Sequence, residues 1–138
     1  MKEENCIFCK IANGQIPSAT IYEDDKFRVI LDLSPAAKGH ALILPKQHYR
    51  NIFDIDEATA ADLFVLAKKV ACAAKEALNC HGLNIIQNNE EVAGQTVFHF
   101  HLHIIPRYTN DGQSITWTPG TSDSDELKTI ADKISSAM

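Results

Sequence analysis

The first third of the chain places its hydrophobic residues in short runs. Ala19 to Glu23, Phe27 to Leu31 and His40 to Leu44 predict three strands, with turns at Asp25-Lys26 and Ser34 to Gly39. A helical turn over Cys6 to Ala12, ended by Asn13-Gly14, is predicted ahead of them. From Asp56 the period lengthens. Leu63, Leu66, Ala67, Val70, Ala71, Ala74, Ala77 and Leu78 recur at three- and four-residue steps and predict a helix with one apolar face, Asp56 as N-cap and Gly82 as the stop. Leu83 to Gln87 and Val97 to Ile105 predict two more strands around the polar loop Asn88 to Gln95. After a long polar stretch, Tyr108 to Ser124, a last helix is predicted to start at Asp123, with Glu126 three residues on, and to bury Leu127, Ile130, Ala131 and Ile134.

Strands and helices do not alternate in βαβ units, so the expected class is α+β, a mainly antiparallel sheet with a long helix packed on it and a C-terminal helix. At 138 residues without internal repeats, residues 1–138 are expected to form one domain. Hydrophobic residues at 45% against 22% charged place the chain among ordinary globular proteins. The formal charge of −5 argues against a nucleic-acid polymer as partner, while leaving room for a small anion in a locally positive pocket. The start of the chain lacks a basic stretch followed by an apolar run, and no segment approaches the roughly 18 apolar residues of a membrane span. A cytoplasmic protein without membrane attachment is expected, in which four cysteines should not pair as disulfides.

The chemistry concentrates in Phe98-His99-Phe100-His101-Leu102-His103-Ile104-Ile105. Strand alternation predicts His99, His101 and His103 on one face and Phe98, Phe100, Leu102 and Ile104 on the core face. A lone histidine on a strand is usually structural, but three at alternate positions point to a site. They fit either a three-histidine zinc centre or nucleophilic attack on phosphorus. Gly94-Gln95-Thr96 favours phosphorus, because backbone, amide and hydroxyl donors suit developing charge on phosphoryl oxygens. The central imidazole is the best-placed nucleophile if its other nitrogen is held by an acceptor. Cys6-Ile7-Phe8-Cys9 offers two thiolates at zinc spacing; a redox pair is the rival, although the strand-to-helix setting of a thioredoxin-like motif is lacking. Cys72 and Cys80 are expected to be packing residues, and His81 a helix-end residue.

The run His99 to Ile105 resembles the defining motif of the histidine triad (HIT) family, three histidines alternating with apolar residues. Asp32-Leu33-Ser34-Pro35, Gly39-His40-Ala41-Leu42, Leu44-Pro45-Lys46-Gln47-His48, Asn88 and Gly94-Gln95-Thr96 resemble further family blocks, in order, across roughly Cys6 to Arg107. The resemblance implies a HIT-like fold and a nucleotide hydrolase or nucleotidyl transferase that cleaves nucleoside 5′-phosphoramidates or related purine nucleotides. It implies His101 as the nucleophile, His103 assisting the leaving group and phosphate, and His40 orienting the nucleophile. Asn88, Gln95 and Thr96 would bind the phosphoryl group and Asp32 the ribose, while Ile7, Phe8, Ile16, Ile30 and Leu31 would line the base pocket. From a zinc-bearing branch of the family comes a structural zinc site of Cys6, Cys9, His48 and His99, with no catalytic metal. A homodimer is also implied.

The resemblance is uneven at the end. Pro106-Arg107-Tyr108 is closer to the dinucleoside polyphosphate hydrolase branch, whereas Trp117-Thr118-Pro119-Gly120 resembles the phosphoramidase branch, in which the tryptophan approaches the partner's site. The rival functions are therefore a dinucleoside polyphosphate hydrolase, a non-catalytic nucleotide-binding partner protein, and a module with all three strand histidines on zinc.

Overall fold

The computed structural model describes residues 2–138. Its centre is a five-stranded sheet in the order β1-β2-β3-β5-β4, from β1 (Thr20–Glu23), β2 (Phe27–Leu31), β3 (Ala41–Pro45), β4 (Gly82–Ile86) and β5 (Leu102–Arg107). Every pairing is antiparallel. The central β3 is buried throughout because both sheet faces are covered, which its unbroken Ala-Leu-Ile-Leu-Pro run allows. One face packs on α2 (Glu57–Leu78), joining Phe27, Val29, Ala41, Ile43, Leu102 and Ile104 to Leu63, Leu66, Ala67 and Val70. The opposite face carries Ile30, Leu42 and Leu44, covered by Phe8 and Ile11 of α1 (Ile7–Ala12). The α+β class expected from the sequence is the class observed.

Several local expectations are corrected. The predicted strand at Val97 begins only at Leu102, because the preceding backbone turns aside: the Phe100 N–H donates to the Tyr49 carbonyl at 2.6 Å, and the His99 carbonyl accepts from a side chain. Phe98 consequently leaves the core, 37% exposed beneath the Arg50 guanidinium, 4.3 Å from its ring centre. The long helix stops at Asn79, which takes the left-handed cap conformation (φ 51°, ψ 39°), and not at Gly82, which opens β4. Of its predicted apolar face only Leu63, Leu66, Ala67 and Val70 are fully buried, while Ala71, Ala74 and Leu78 are partly exposed and Ala77 exposed; Cys72, expected to pack, is exposed and Cys80 buried.

The last helix, α3 (Ser124–Ala137), forms where expected with Asp123 as its cap, yet buries nothing: Leu127, Ile130 and Ile134 are 52%, 45% and 61% exposed. Residues 112–123 contain no helix or strand and carry α3 away from the sheet. No helix among the described residues is long and apolar enough to cross a membrane.

Candidate active site

Three strands align the floor of the site. Ile30 pairs with Leu42 and Leu42 with His103, so these side chains share the face covered by α1. Beside them is a pocket of about 380 Å³. Ile7 and Phe8 of α1, Ile16, Ile30 and Leu31 form apolar walls, with Asp32, Thr96, His101 and His103 at the polar end. The predicted division of faces holds for Phe100, Leu102 and Ile104, which join the core under α2, but the histidine side is no open surface: His99 and His101 are as buried as Phe100 and Leu102, and His103 is half-buried. Their rings sit in a second, partly polar interior beneath α1.

Hydrogen bonds fix the tautomers. His101 donates from Nδ1–H to the His99 carbonyl at 2.7 Å, which leaves a lone pair on Nε2. The Ala36 N–H donates to His40 Nδ1 at 3.0 Å, so the proton of neutral His40 resides on Nε2 and is donated to His103 Nδ1 at 2.9 Å. His103 must then carry its own proton on Nε2, as a donor. Phe8 stands edge-on to the His101 ring with centres 4.9 Å apart, and the His101 and His103 ring centres are 5.0 Å apart.

Electrostatics keep these rings neutral. Burial lowers the pKa of His40, with Asp32 partly opposing it, and lowers that of His101. Burial, with the neighbouring His101 and His40, pushes His103 down to about 4. The Asp32 carboxylate lies 3.7 Å from His40 Nε2, and its Oδ1 accepts the Ser34 N–H at 2.8 Å, so it both faces the pocket and opens the following turn. The arrangement combines a lone pair, a neighbouring N–H donor and a carboxylate at the mouth of an apolar pocket. Such a site can take a flat apolar group and present a phosphorus centre to a nucleophile.

Two predicted phosphoryl ligands lie outside this pocket. Gln95 is 2% exposed and spends its amide on protein: Nε2 donates to the Arg50 and Val97 carbonyls, while Oε1 accepts from the Glu90 N–H and from Asn51. Asn88 points at the loop itself, its Nδ2 donating to the Gly94 carbonyl at 3.5 Å. The lining also includes Ile11, Pro17, Ser18, Ala19, Leu33, Leu42 and Val97, none of which the sequence marked as a pocket residue. Ile11 carried a signal, one helical turn after Ile7 and Phe8; the Pro17 to Ala19 segment carried none. Trp117 is outside the pocket and exposed.

On the far side of α1, Cys6, Cys9, His48 and His99 bring one ligand atom each within 4.8 Å of one another. His99 donates from Nε2–H to the Pro45 carbonyl at 2.9 Å, which aims the Nδ1 lone pair at Cys6 and Cys9 Sγ, 3.4 Å from each. His48 Nδ1 is 3.3 Å from Cys9 Sγ. Tetrahedral zinc with its usual bond lengths separates sulfur and nitrogen ligands by about 3.6 Å, so the donor set fits that ion. Burial raises the Cys9 thiol pKa and lowers that of His99 to about 4.

A HIT domain family model matches residues 13–110. The chain belongs to the HIT family. It is 42% identical over 138 residues to protein hit of Bacillus subtilis, covering 98% of this chain and 95% of that protein. To adenosine 5′-monophosphoramidase hnt1 of Schizosaccharomyces pombe it is 36% identical over 135 residues, covering 97% and 98%. The crystal structure of a HIT family protein from Bacillus anthracis superposes with a TM-score of 0.92 at 43% identity, covering 98% of both chains. A zinc-bound histidine triad family protein from Mycobacterium smegmatis superposes with a TM-score of 0.76 at 37% identity, covering 97% and 98%.

Proposed function

We propose that the protein is a nucleotide hydrolase or nucleotidyl transferase that cleaves nucleoside 5′-phosphoramidates, with purine nucleotides as substrates, through a nucleotidyl-His101 intermediate. The observation that carries this reading is the His101 tautomer: with Nδ1–H bound to the His99 carbonyl, Nε2 faces the pocket as a free base. The base enters between Ile7, Phe8, Ile16, Ile30 and Leu31, and Asp32 accepts from the ribose hydroxyls. His101 Nε2 attacks the phosphorus, a P–N bond to the enzyme forms, and the bond to the leaving amine breaks. His103, donating from Nε2–H, supplies a proton to that amine, while His40 holds the His103 ring in the donor tautomer. Water then cleaves the phosphorus–His101 bond and returns a proton to His103 Nε2, releasing the nucleoside monophosphate and restoring both imidazoles.

Thr96 is the side-chain hydroxyl available to the phosphoryl oxygens, with backbone N–H groups of its loop as further donors. The similarity to an adenosine 5′-monophosphoramidase supports an amine leaving group. Zinc belongs to the same proposal: Cys6, Cys9, His48 and His99 would hold it as a closed, structural ion that ties α1 to the sheet. A homodimer belongs to it too, since the uncovered apolar positions of α3 give a second copy a surface to bury.

Rapid quench with adenosine phosphoramidate, followed by mass analysis of the His101 peptide, tests the reading. An adenylyl group on His101 is expected, and His101→Ala should lose at least about 10⁴-fold in kcat while remaining folded. A folded His101→Ala variant with undiminished hydrolysis refutes the role.

A further inference from the structure

Glu90 adopts φ 71° and ψ 159°, a conformation that a residue bearing a Cβ rarely holds unless its surroundings enforce it. The surroundings here are polar. The Glu90 N–H donates to Gln95 Oε1 at 2.7 Å, and the Gln95 N–H returns to the Glu90 carbonyl at 3.1 Å, closing the loop on itself. The Glu90 carboxylate accepts from Asn51 Nδ2 at 2.8 Å and from Arg50 Nη2 at 2.9 Å. Asn51 also reaches Gln95 Oε1 at 3.3 Å, and Gln95 Nε2 donates to the Arg50 carbonyl at 2.8 Å.

Asn51 and Gln95 are each 2% exposed, an expensive place for two amides unless every bond is made. The Arg50–Glu90 ion pair is half open to solvent and contributes little on its own. The buried amides therefore decide the loop's conformation. One residue beyond Gln95, the chain delivers Thr96 and Val97 into the pocket that holds His101 and His103.

We propose that Arg50, Asn51, Glu90 and Gln95 form a latch that sets the loop bearing Thr96 against the reacting phosphoryl group, with Asn51 and Gln95 as positioning residues that do not touch substrate. This rests on the nucleotidyl-His101 reading and adds to it a segment, Arg50-Asn51, that no motif indicated. Gln95 acts through hydrogen bonds to Glu90 and Arg50, having none left for the nucleotide. Loosening the latch leaves the base pocket intact but misplaces the donors that meet charge developing in the transition state. Turnover should fall more than binding.

The test combines kinetics with amide exchange in the full chain. Asn51→Ala should lower kcat for adenosine phosphoramidate between about 10- and 100-fold with KM within about threefold, and Glu90→Gly, at a partly exposed site, should do the same. In a Thr96→Ala background, adding Asn51→Ala should cost a smaller factor than in the parent, since the Thr96 hydroxyl, one of the donors the latch positions, is already gone. Exchange of the Glu90 and Gln95 amides, followed by NMR, should accelerate at least about tenfold in Asn51→Ala. Folded variants with kcat within twofold of the parent, or an undiminished loss in the Thr96→Ala background, overturn the proposal. Absence of turnover and of a His101 adduct in the parent protein would instead overturn the nucleotidyl reading. Unchanged exchange at Glu90 and Gln95 overturns the latch whichever way that falls.

Discussion

His40 Nε2 and His103 Nδ1 lie 2.9 Å apart, and because the Ala36 N–H occupies the other nitrogen of His40, the proton between the two rings has one direction of donation. A backbone amide in the turn before β3 thereby sets which nitrogen of His103 faces the pocket as a donor. A change at His40 acts on the site two hydrogen bonds away from where it is made.

The pH dependence follows from the burial of these rings. Burial holds His40 below an ordinary imidazole and pushes His103 down to about 4, so His103 remains neutral well below pH 6.5. The acid limb of kcat/KM is expected below the ordinary imidazole value, and a limb at or above 6.5 would contradict it. Stability shares the cause. The unfolded chain takes up these protons near pH 6.5 and the folded chain does not, so stability is full above that pH and declines as pH falls toward 4. Urea titrations at pH 7.5 and 5 measure it.

Metal removal should weaken the N-terminal anchor. One zinc per chain is expected by elemental analysis, and Cys9→Ser should lose it together with roughly 10 °C of melting temperature, the scale set by ligand linkage in a domain of this size. Chelator treatment of the parent should reproduce the shift and leave Cys9→Ser unchanged. Equal melting curves with and without chelator would remove zinc from the account.

Gly39 should tolerate no side chain. Its φ is +89°, and a Cβ there would sit 2.3 Å from Leu78 Cδ1 and 3.3 Å from Pro106 Cγ. Gly39→Ala is expected to destabilise by about 1–3 kcal/mol, from overpacking and backbone strain together. Because His40 is the next residue, kcat should fall as well. Denaturant unfolding and kinetics on the same preparation check both effects.

Asp56 caps α2 by accepting from the Thr59 N–H at 2.9 Å, and it accepts from the Tyr49 hydroxyl at 2.6 Å, which links the helix to the core. These bonds, that of Tyr49 foremost, lower its pKa to about 2. Its contribution is present above the ordinary value of 3.8 and is lost as pH falls toward 2. Asp56→Ala should lower the melting temperature by roughly 2–8 °C at pH 7 and by less near pH 3, as calorimetry at the two pH values would record.

The sequence carried the signals that are periodic or strongly capped. Asp56 and the Leu63 to Val70 stripe marked α2, and alternation placed β1, β2, β3 and β4 to within a residue or so. Single-residue exceptions were not legible. Asn79 is a less common left-handed stop than glycine, and Gly82, the residue that looked like the stop, is already the first of β4. The turn of His99 and Phe100 away from strand geometry depends on the Tyr49 carbonyl, about fifty residues earlier, which no local pattern announces. The same holds within the site. The histidines could be named from their chemistry and the walls of the pocket from the family resemblance, whereas the inward-facing hydrogen bonds of Gln95 needed the position of Arg50-Asn51. At α3 an amphipathic pattern correctly announced a helix but not what would cover it.

The six residues of α1 wall the pocket with Ile7 and Phe8 and contribute Cys9 to the thiol–imidazole cluster, whose other thiol, Cys6, is its cap. This double duty limits how the protein can adapt. A bulkier or smaller group in the pocket cannot be accommodated by sliding or retilting the helix, because that would pull the sulfurs from their imidazoles. Selectivity has to be retuned by exchanging individual side chains, at positions 7, 8 and 11 or along the stretch from Ile16 to Ala19 that lines the same pocket.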